Sequence, residues 1–176
     1  GGDPDVVSLT TELKYDGLGR LRYRNDTVDD DPTDDAILPT VETTTYQYDA
    51  AAHGRGQLWR TASPDGIETV HSYDEQGRPE GTEWTVDGHT YKFRRSYGQF
   101  GKLDRLHYPE ADDKSFELDY NYNPAGWLKS INRLVGTVIQ SNKPTWQVLA
   151  RNTDGMLEEA GWNNDATESR TYYSMT

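Results

Sequence analysis

The sequence predicts an all-β protein: tandem hairpins built on a Tyr-Asp-x-x-Gly-x-Leu motif, forming one continuous, twisted and curling antiparallel sheet. Three observations predict it. The motif recurs six times with a glycine fixed inside it. A second set of turn signals falls between the motifs. Between turns, apolar and polar residues alternate with period two, the pattern of strands with one wet face. No helical periodicity of useful length competes.

The first copy is Tyr15-Asp16-Gly17-Leu18-Gly19-Arg20-Leu21. The second, Tyr48-Asp49, reaches Gly56-Gln57-Leu58 after a four-residue insertion. The third runs from Tyr73-Asp74 to Gly77-Arg78-Pro79, with Pro in the last slot. The fourth, Tyr97-Gly98 to Gly101-Lys102-Leu103, and the fifth, Tyr122-Asn123 to Gly126-Trp127-Leu128, follow. A degenerate sixth spans Arg151-Asn152 to Gly155-Met156-Leu157. The motif glycines lie 37, 21, 24, 25 and 29 residues apart. Each slot has a physical task. Tyr ends a strand and lays its ring on one face. Asp or Asn folds its side chain onto backbone N–H groups of the turn. Gly takes the positive φ that most residues resist. The residue after it, Arg20, Gln57, Arg78 or Lys102, is mostly polar and can point at water. Leu then opens the next strand on the buried face.

The intervening turns are Pro64-Asp65-Gly66, Asp87-Gly88, Pro109–Asp113 and Asn163-Asn164-Asp165. Asp87-Gly88, between Thr82–Val86 and His89–Tyr97, is a strong hairpin signal. Tyr91, Phe93, Arg95 and Tyr97 share one face of their strand, as do Phe116, Leu118, Tyr120 and Tyr122 of theirs. The count is about ten to fourteen short strands. The array is expected over residues 9–173, with an acidic insert at 26–39. Residues 1–8, opening with a scar-like Gly1-Gly2, read as a tail and 174–176 as a cut end, so the chain reads as a piece of a longer one.

Composition narrows the function. Hydrophobic residues make up 33% of the chain, which is polar for a compact globule, yet 12 Tyr and 5 Trp argue against disorder. Lys and Arg number 18 against 30 Asp and Glu, a net charge of −12 that speaks against nucleic-acid or anionic-membrane partners. No apolar run is long enough to span a bilayer. Cysteine is absent, so neither disulfides nor thiolate metal sites exist.

The motifs resemble the YD repeats of the Rhs (rearrangement hot spot) family: bacterial polymorphic toxins, the B/C components of Tc toxins, wall-associated proteins and teneurins. Residues 46–58 and 146–152 resemble large secreted bacterial Rhs proteins most closely. The resemblance implies a secreted or cell-surface bacterial protein whose repeats spiral into a hollow β-shell, which in the toxins encloses a C-terminal effector. Its implied partners are the flanking repeats of the same chain and such an effector. The Asp-Pro self-cleavage segment that ends toxin cores has no match. Asp3-Pro4 and Asp31-Pro32 lack its Gly-Leu context, and no catalytic residue is carried over.

Other chemistry is weighed residue by residue. Asp26, Asp29, Asp30, Asp31, Asp34 and Asp35 invite a calcium reading, but the ligand alternation and central Gly of an EF-hand loop are missing, and a solvated acidic loop is expected. His53, His71, His89 and His107 are spaced by 18 but fall at different points of the repeat, which disfavours a shared metal. Glu158-Glu159 and Asp112-Asp113 are neighbours that point apart, poor geometry for a glycosidase pair. No serine elbow, zinc helix or phosphate loop occurs. No enzyme, cofactor or metal is expected. Trp59, Trp84, Trp127, Trp146 and Trp162 could stack on sugar rings, making a carbohydrate-binding surface module the alternative to a shell segment; filling gaps in a polar sheet is their expected role. Asn25-Asp26-Thr27 matches a glycosylation sequon. Open strand edges are expected to let the isolated array self-associate.

Overall fold

The structure, a computed structural model, describes residues 8–29, 39–111, 114–135, 138–139 and 143–172. The described residues form 14 strands and one 3-10 turn, so the all-β expectation holds. The chain divides into two compact units, Gly1–Tyr91 and Lys92–Thr176.

The first unit is an antiparallel meander of β1 (Ser8–Tyr15), β2 (Leu21–Asp29), β3 (Thr40–Tyr48), β4 (Leu58–Ala62), β5 (Glu68–Tyr73) and β6 (Pro79–Val86). Each strand pairs with the next. The Asp87-Gly88 turn then opens β7 (His89–Tyr97), with φ of 50° and 76°, the two left-handed residues of a type I′ hairpin.

The second unit takes in the rest of β7, then β8 (Leu103–His107), β9 (Glu117–Tyr122), β10 (Leu128–Val135), β12 (Trp146–Arg151), β13 (Leu157–Trp162) and β14 (Thr167–Ser169). These too pair antiparallel in succession, and the short β11 (Val138–Ile139) folds back onto β10. Residues 26–29 of the acidic stretch continue β2 rather than forming a loop. The rest of that insert, with Asp30, Asp31, Asp34 and Asp35, lies outside the described residues, as do the tail before Ser8, Asp112-Asp113 and residues 173–176.

A regular defect marks each motif hairpin. Tyr15 pairs with Leu21 but Lys14 with Tyr23, leaving Arg22 as an extra residue. Trp59, Glu80, Asp104, Lys129 and Glu158 are the extra residues of the other five. Such β-bulges bend the strand and re-aim one side chain. Here the re-aimed residue always follows the Leu slot.

Burial is shallow. Among the described apolar residues only Tyr73, Leu134 and Ala160 are buried. Stability therefore falls to cross-strand pairs. In the second unit one face carries the rows Tyr120–Ile131–Trp146–Trp162 and Arg95–Leu106–Leu118–Arg133. Phe93, Tyr108 and Phe116 pack there with ring centroids 5.2 and 4.9 Å apart, and Arg95 and Arg133 lie over Phe93 and Phe116. In the other set of rows Arg105 pairs with Glu117 (3.4 Å) and Asp119 (3.5 Å), and His107 Nδ1 lies 3.2 Å from Glu117.

Candidate functional site

The motif turns share one hydrogen-bonding plan. The amide of the second slot donates to the carbonyl just before Leu, and the Gly amide donates back to the second-slot carbonyl. These bonds run Asp16–Arg20 (2.8 Å) with Gly19–Asp16 (3.0 Å), and Asp74–Arg78 (3.0 Å) with Gly77–Asp74 (2.8 Å). Asn123 with Trp127 and Asn152 with Met156 close their turns the same way. Gly77 and Gly126 sit at φ of 75° and 82°, where an L side chain is strained.

The second-slot side chain locks the loop from inside. Asp16 Oδ1 accepts from the Leu18 and Arg20 amides, both at 2.9 Å, and Asp74 Oδ1 from Gln76 (3.0 Å) and Arg78 (2.8 Å). Asn152 accepts from Asp154 and Met156, Asn123 from Trp127, and Asp49 from Gly56 across its longer loop. These bonds favour the charged carboxylate. The Arg20 amide chiefly holds the Asp16 carboxyl below the usual carboxylate range, and the Arg20 side chain does the same for Asp49. Burial pushes Asp74 up, but bonds from the Arg78 side chain and the Arg78 and Gln76 amides outweigh it, leaving that carboxyl lowered.

Successive motifs are tied to each other in two directions. Backward, the first-slot side chain donates to the carbonyl of the preceding Leu slot: Tyr73 Oη to Leu58 (2.5 Å) and Tyr122 Oη to Leu103 (2.8 Å). In the degenerate copy Arg151 Nη2 does this to Leu128 (3.0 Å) while Nη1 holds the Gly155 carbonyl. Tyr172 Oη reaches Leu157 (2.8 Å), which places Tyr172 in a first slot beyond the six motif copies.

Forward, the residue after the glycine reaches the next turn in four copies, whereas Arg78 of the third copy bonds Asp74 and Gln76 of its own turn. Arg20 Nη2 pairs with Asp49 at 2.8 Å, its guanidinium 4.5 Å above the Tyr48 ring. Gln57 Nε2 donates to the Gly77 carbonyl at 2.6 Å, Lys102 Nζ donates to the Gly126 carbonyl, and the Trp127 ring packs against Gly155. Arg20, Gln57 and Lys102, which their polarity would let point at water, are half-buried between turns instead. Neighbouring turns lie close enough for a long polar side chain to bridge them, and a carbonyl waits there.

One turn departs from the plan. Gly98 has no side chain, so the amides of Phe100 and Lys102 receive no side-chain acceptor. The loop tightens into the 3-10 turn Gln99–Gly101 with Phe100 at φ of 61°. The bulge at Asp104 swings its carboxylate toward the vacancy: a Cβ placed on Gly98 would lie 3.4 Å from Asp104 Oδ1. A cleft of about 460 Å³ opens between this turn and the next, lined among others by Gly98, Phe100, Lys102, Asp104, Tyr122 and Asn123.

Among the tryptophan candidates, Trp146 and Trp162 are cross-strand partners on β12 and β13. Trp84 and Trp127 are exposed, whereas Trp59, Trp146 and Trp162 are half-buried in strands. Phe100, 90% exposed, is the most exposed large apolar side chain described, and nothing in the sequence around it marks it out. Asp26 accepts from Thr11 Oγ1 at 2.6 Å and pairs with Arg24, and Asn25 Nδ2 donates to Glu12. Among the described residues no three His, Asp or Glu side chains gather in a group able to hold a metal, and no helix is long and apolar enough to cross a membrane. His53, His71, His89 and His107 each lie in a separate turn or strand.

No protein-family model matches the chain, and no curated protein matches it. Among solved structures it is similar to a porin-like protein from Bacteroides uniformis ATCC 8492, at 19% identity and a TM-score of 0.42 over 79% of this chain. It is also similar to a chain of the TcdB2-TccC3-Cdc42 structure, at 17% identity and a TM-score of 0.42 over 85% of this chain. The chain spans 53% of the first structure's chain and 9% of the second's.

Proposed function

We propose that the chain is a non-catalytic length of YD-repeat wall in a large secreted or surface-displayed bacterial protein, and that the wall encloses or presents a polypeptide cargo carried by the same protein. The two-way ties between consecutive motifs carry this reading. Copies one, two and four donate to the copy after them and copies three, five and six to the copy before them, the nearest-neighbour ties of a repeat array. The shallow core supports it, since strands that bury so little on their own gain from more strands beside them. The cargo-facing chemistry of an acidic wall suits a basic polypeptide.

The test is to express the chain with its flanking repeats and downstream segment, then challenge it with protease. The downstream segment is expected to resist digestion while attached to the intact wall and to be degraded when produced alone. Equal digestion in both states rejects enclosure.

A further inference from the structure

We infer that the Asp87-Gly88 turn is a site of spontaneous isoaspartate formation, promoted by the neighbouring His89 imidazole. The reaction needs no partner but water. The Gly88 nitrogen attacks Cγ of the Asp87 carboxyl. A C–N bond forms, the carboxyl C–OH bond breaks, and the hydroxyl leaves with the amide proton as water. Water then reopens the cyclic imide at either carbonyl. Addition at Cγ restores aspartate. Addition at the backbone carbonyl leaves Cγ in the main chain and lengthens the turn by one carbon. A type I′ tip with φ of 50° and 76° has no place for that carbon, so the product loosens the hairpin there.

The chain holds four Asp-Gly pairs, and the fold restrains three of them. At Asp16-Gly17 the carboxylate is held through Oδ1 by the Leu18 and Arg20 amides and through Oδ2 by the Arg20 side chain. At Asp65-Gly66 the carboxylate accepts from Ser63 Oγ, and the Gly66 amide donates to the Ser63 carbonyl at 3.1 Å. At Asp154-Gly155 the attacking amide is engaged by the Asn152 carbonyl at 3.0 Å. At Asp87-Gly88, by contrast, neither the carboxylate nor the Gly88 amide bonds any described residue, and both residues are exposed. Such a tip opens locally at little cost, which brings Cγ and the nitrogen within reach of each other. His89 adds a catalytic contact: its Nδ1 lies 3.1 Å from the Asp87 carbonyl oxygen. A carbonyl only accepts, so Nδ1 carries the proton and donates. That carbonyl belongs to the peptide bond whose nitrogen attacks. Donation to its oxygen stabilises the charge that gathers there as the amide loses its proton. The contact spans residues 87–89 alone, so it travels with the opened tip.

The site is tested by ageing the folded chain in warm, mildly acidic buffer. Isoaspartate is then mapped with a protease that cuts before aspartate but not before isoaspartate, and counted by methyl transfer from an isoaspartyl methyltransferase. It is expected to accumulate at Asp87 ahead of Asp16, Asp65 and Asp154. In concentrated urea, where the restraints are gone, the four rates should converge. His89→Leu should slow formation at Asp87 about fivefold, the worth of one neutral hydrogen bond, and leave Asp65 and Asp154 unaffected. Three results each overturn the proposal: Asp87 ages no faster than the other three in the folded chain, its lead persists unchanged in urea, or His89→Leu leaves its rate unaltered.

Discussion

Gly54, in the insertion of the second motif, offers a clean measure of how tightly one turn packs on the next. Its φ lies outside the left-handed region, so alanine is admissible to the backbone. The space is not available: a Cβ there would stand 2.7 Å from Tyr73 Cδ2, 3.0 Å from Tyr73 Cε2 and 2.9 Å from the Ala51 Cβ. Tyr73 is itself buried and fixed by its hydroxyl bond to Leu58, so it cannot simply swing aside. Overpacking of this kind costs about 1–3 kcal/mol, offset by about 0.4–1 kcal/mol from a stiffer unfolded chain. Gly54→Ala should therefore destabilise by about 1–2 kcal/mol. Urea unfolding followed by tryptophan fluorescence measures it. In a Tyr73→Leu background, where Cε2 is gone, the same methyl should cost at least about 0.5 kcal/mol less. An unchanged or raised midpoint for Gly54→Ala, or the same cost in both backgrounds, would refute the packing argument.

Tyr122→Phe removes the hydroxyl donor to Leu103 and should lower stability by about 1 kcal/mol, read from the denaturation midpoint. Gly98→Asn should raise it by about 0.4–1 kcal/mol, because φ of −87° suits any residue and the amide can cap the loop; a loss would show the vacancy to be filled by something else. Asp16, Asp49 and Asp74 titrate below the ordinary Asp value. Their contribution is thus whole above about pH 4 and drains away as pH falls through their lowered values. Midpoints should hold level from pH 8 to 5 and drop in more acidic buffer, whereas a level profile to pH 2 contradicts the capping role. The outer edge of β1 pairs with no described strand, so light scattering of the isolated chain should show concentration-dependent association, and strict monomer at millimolar concentration would count against it.

The turns were legible in the sequence because their causes are local. A positive φ demands Gly77 or Gly126, and an Asx cap needs Asp74 or Asn152 within four residues of the amides it holds. Alternation likewise placed Phe93 and Arg95, or Leu118 and Tyr120, on shared faces. What stayed hidden depends on two segments at once. The bulges at Arg22 or Asp104 arise when a turn's closing bonds and the strand ladder disagree by one residue, which neither strand announces alone. The grip of Gln57 on Gly77 joins residues 20 apart in sequence. Arg151 reads in the sequence as a degenerate first slot, whereas what the slot needs is a donor that reaches the preceding Leu carbonyl. The Gly98 cleft was invisible because an absent cap reads simply as a weaker copy of the motif.

The Tyr-to-Leu and post-glycine ties give the array a polarity. Some units donate downstream and others upstream, so a unit lifted out strands an acceptor in a neighbour, and any unit put in its place, native or foreign, completes the circuit only if it enters in the same orientation. Such a chain can lengthen, shorten or exchange cassettes by recombination at unit boundaries, while cuts made inside a unit are penalised.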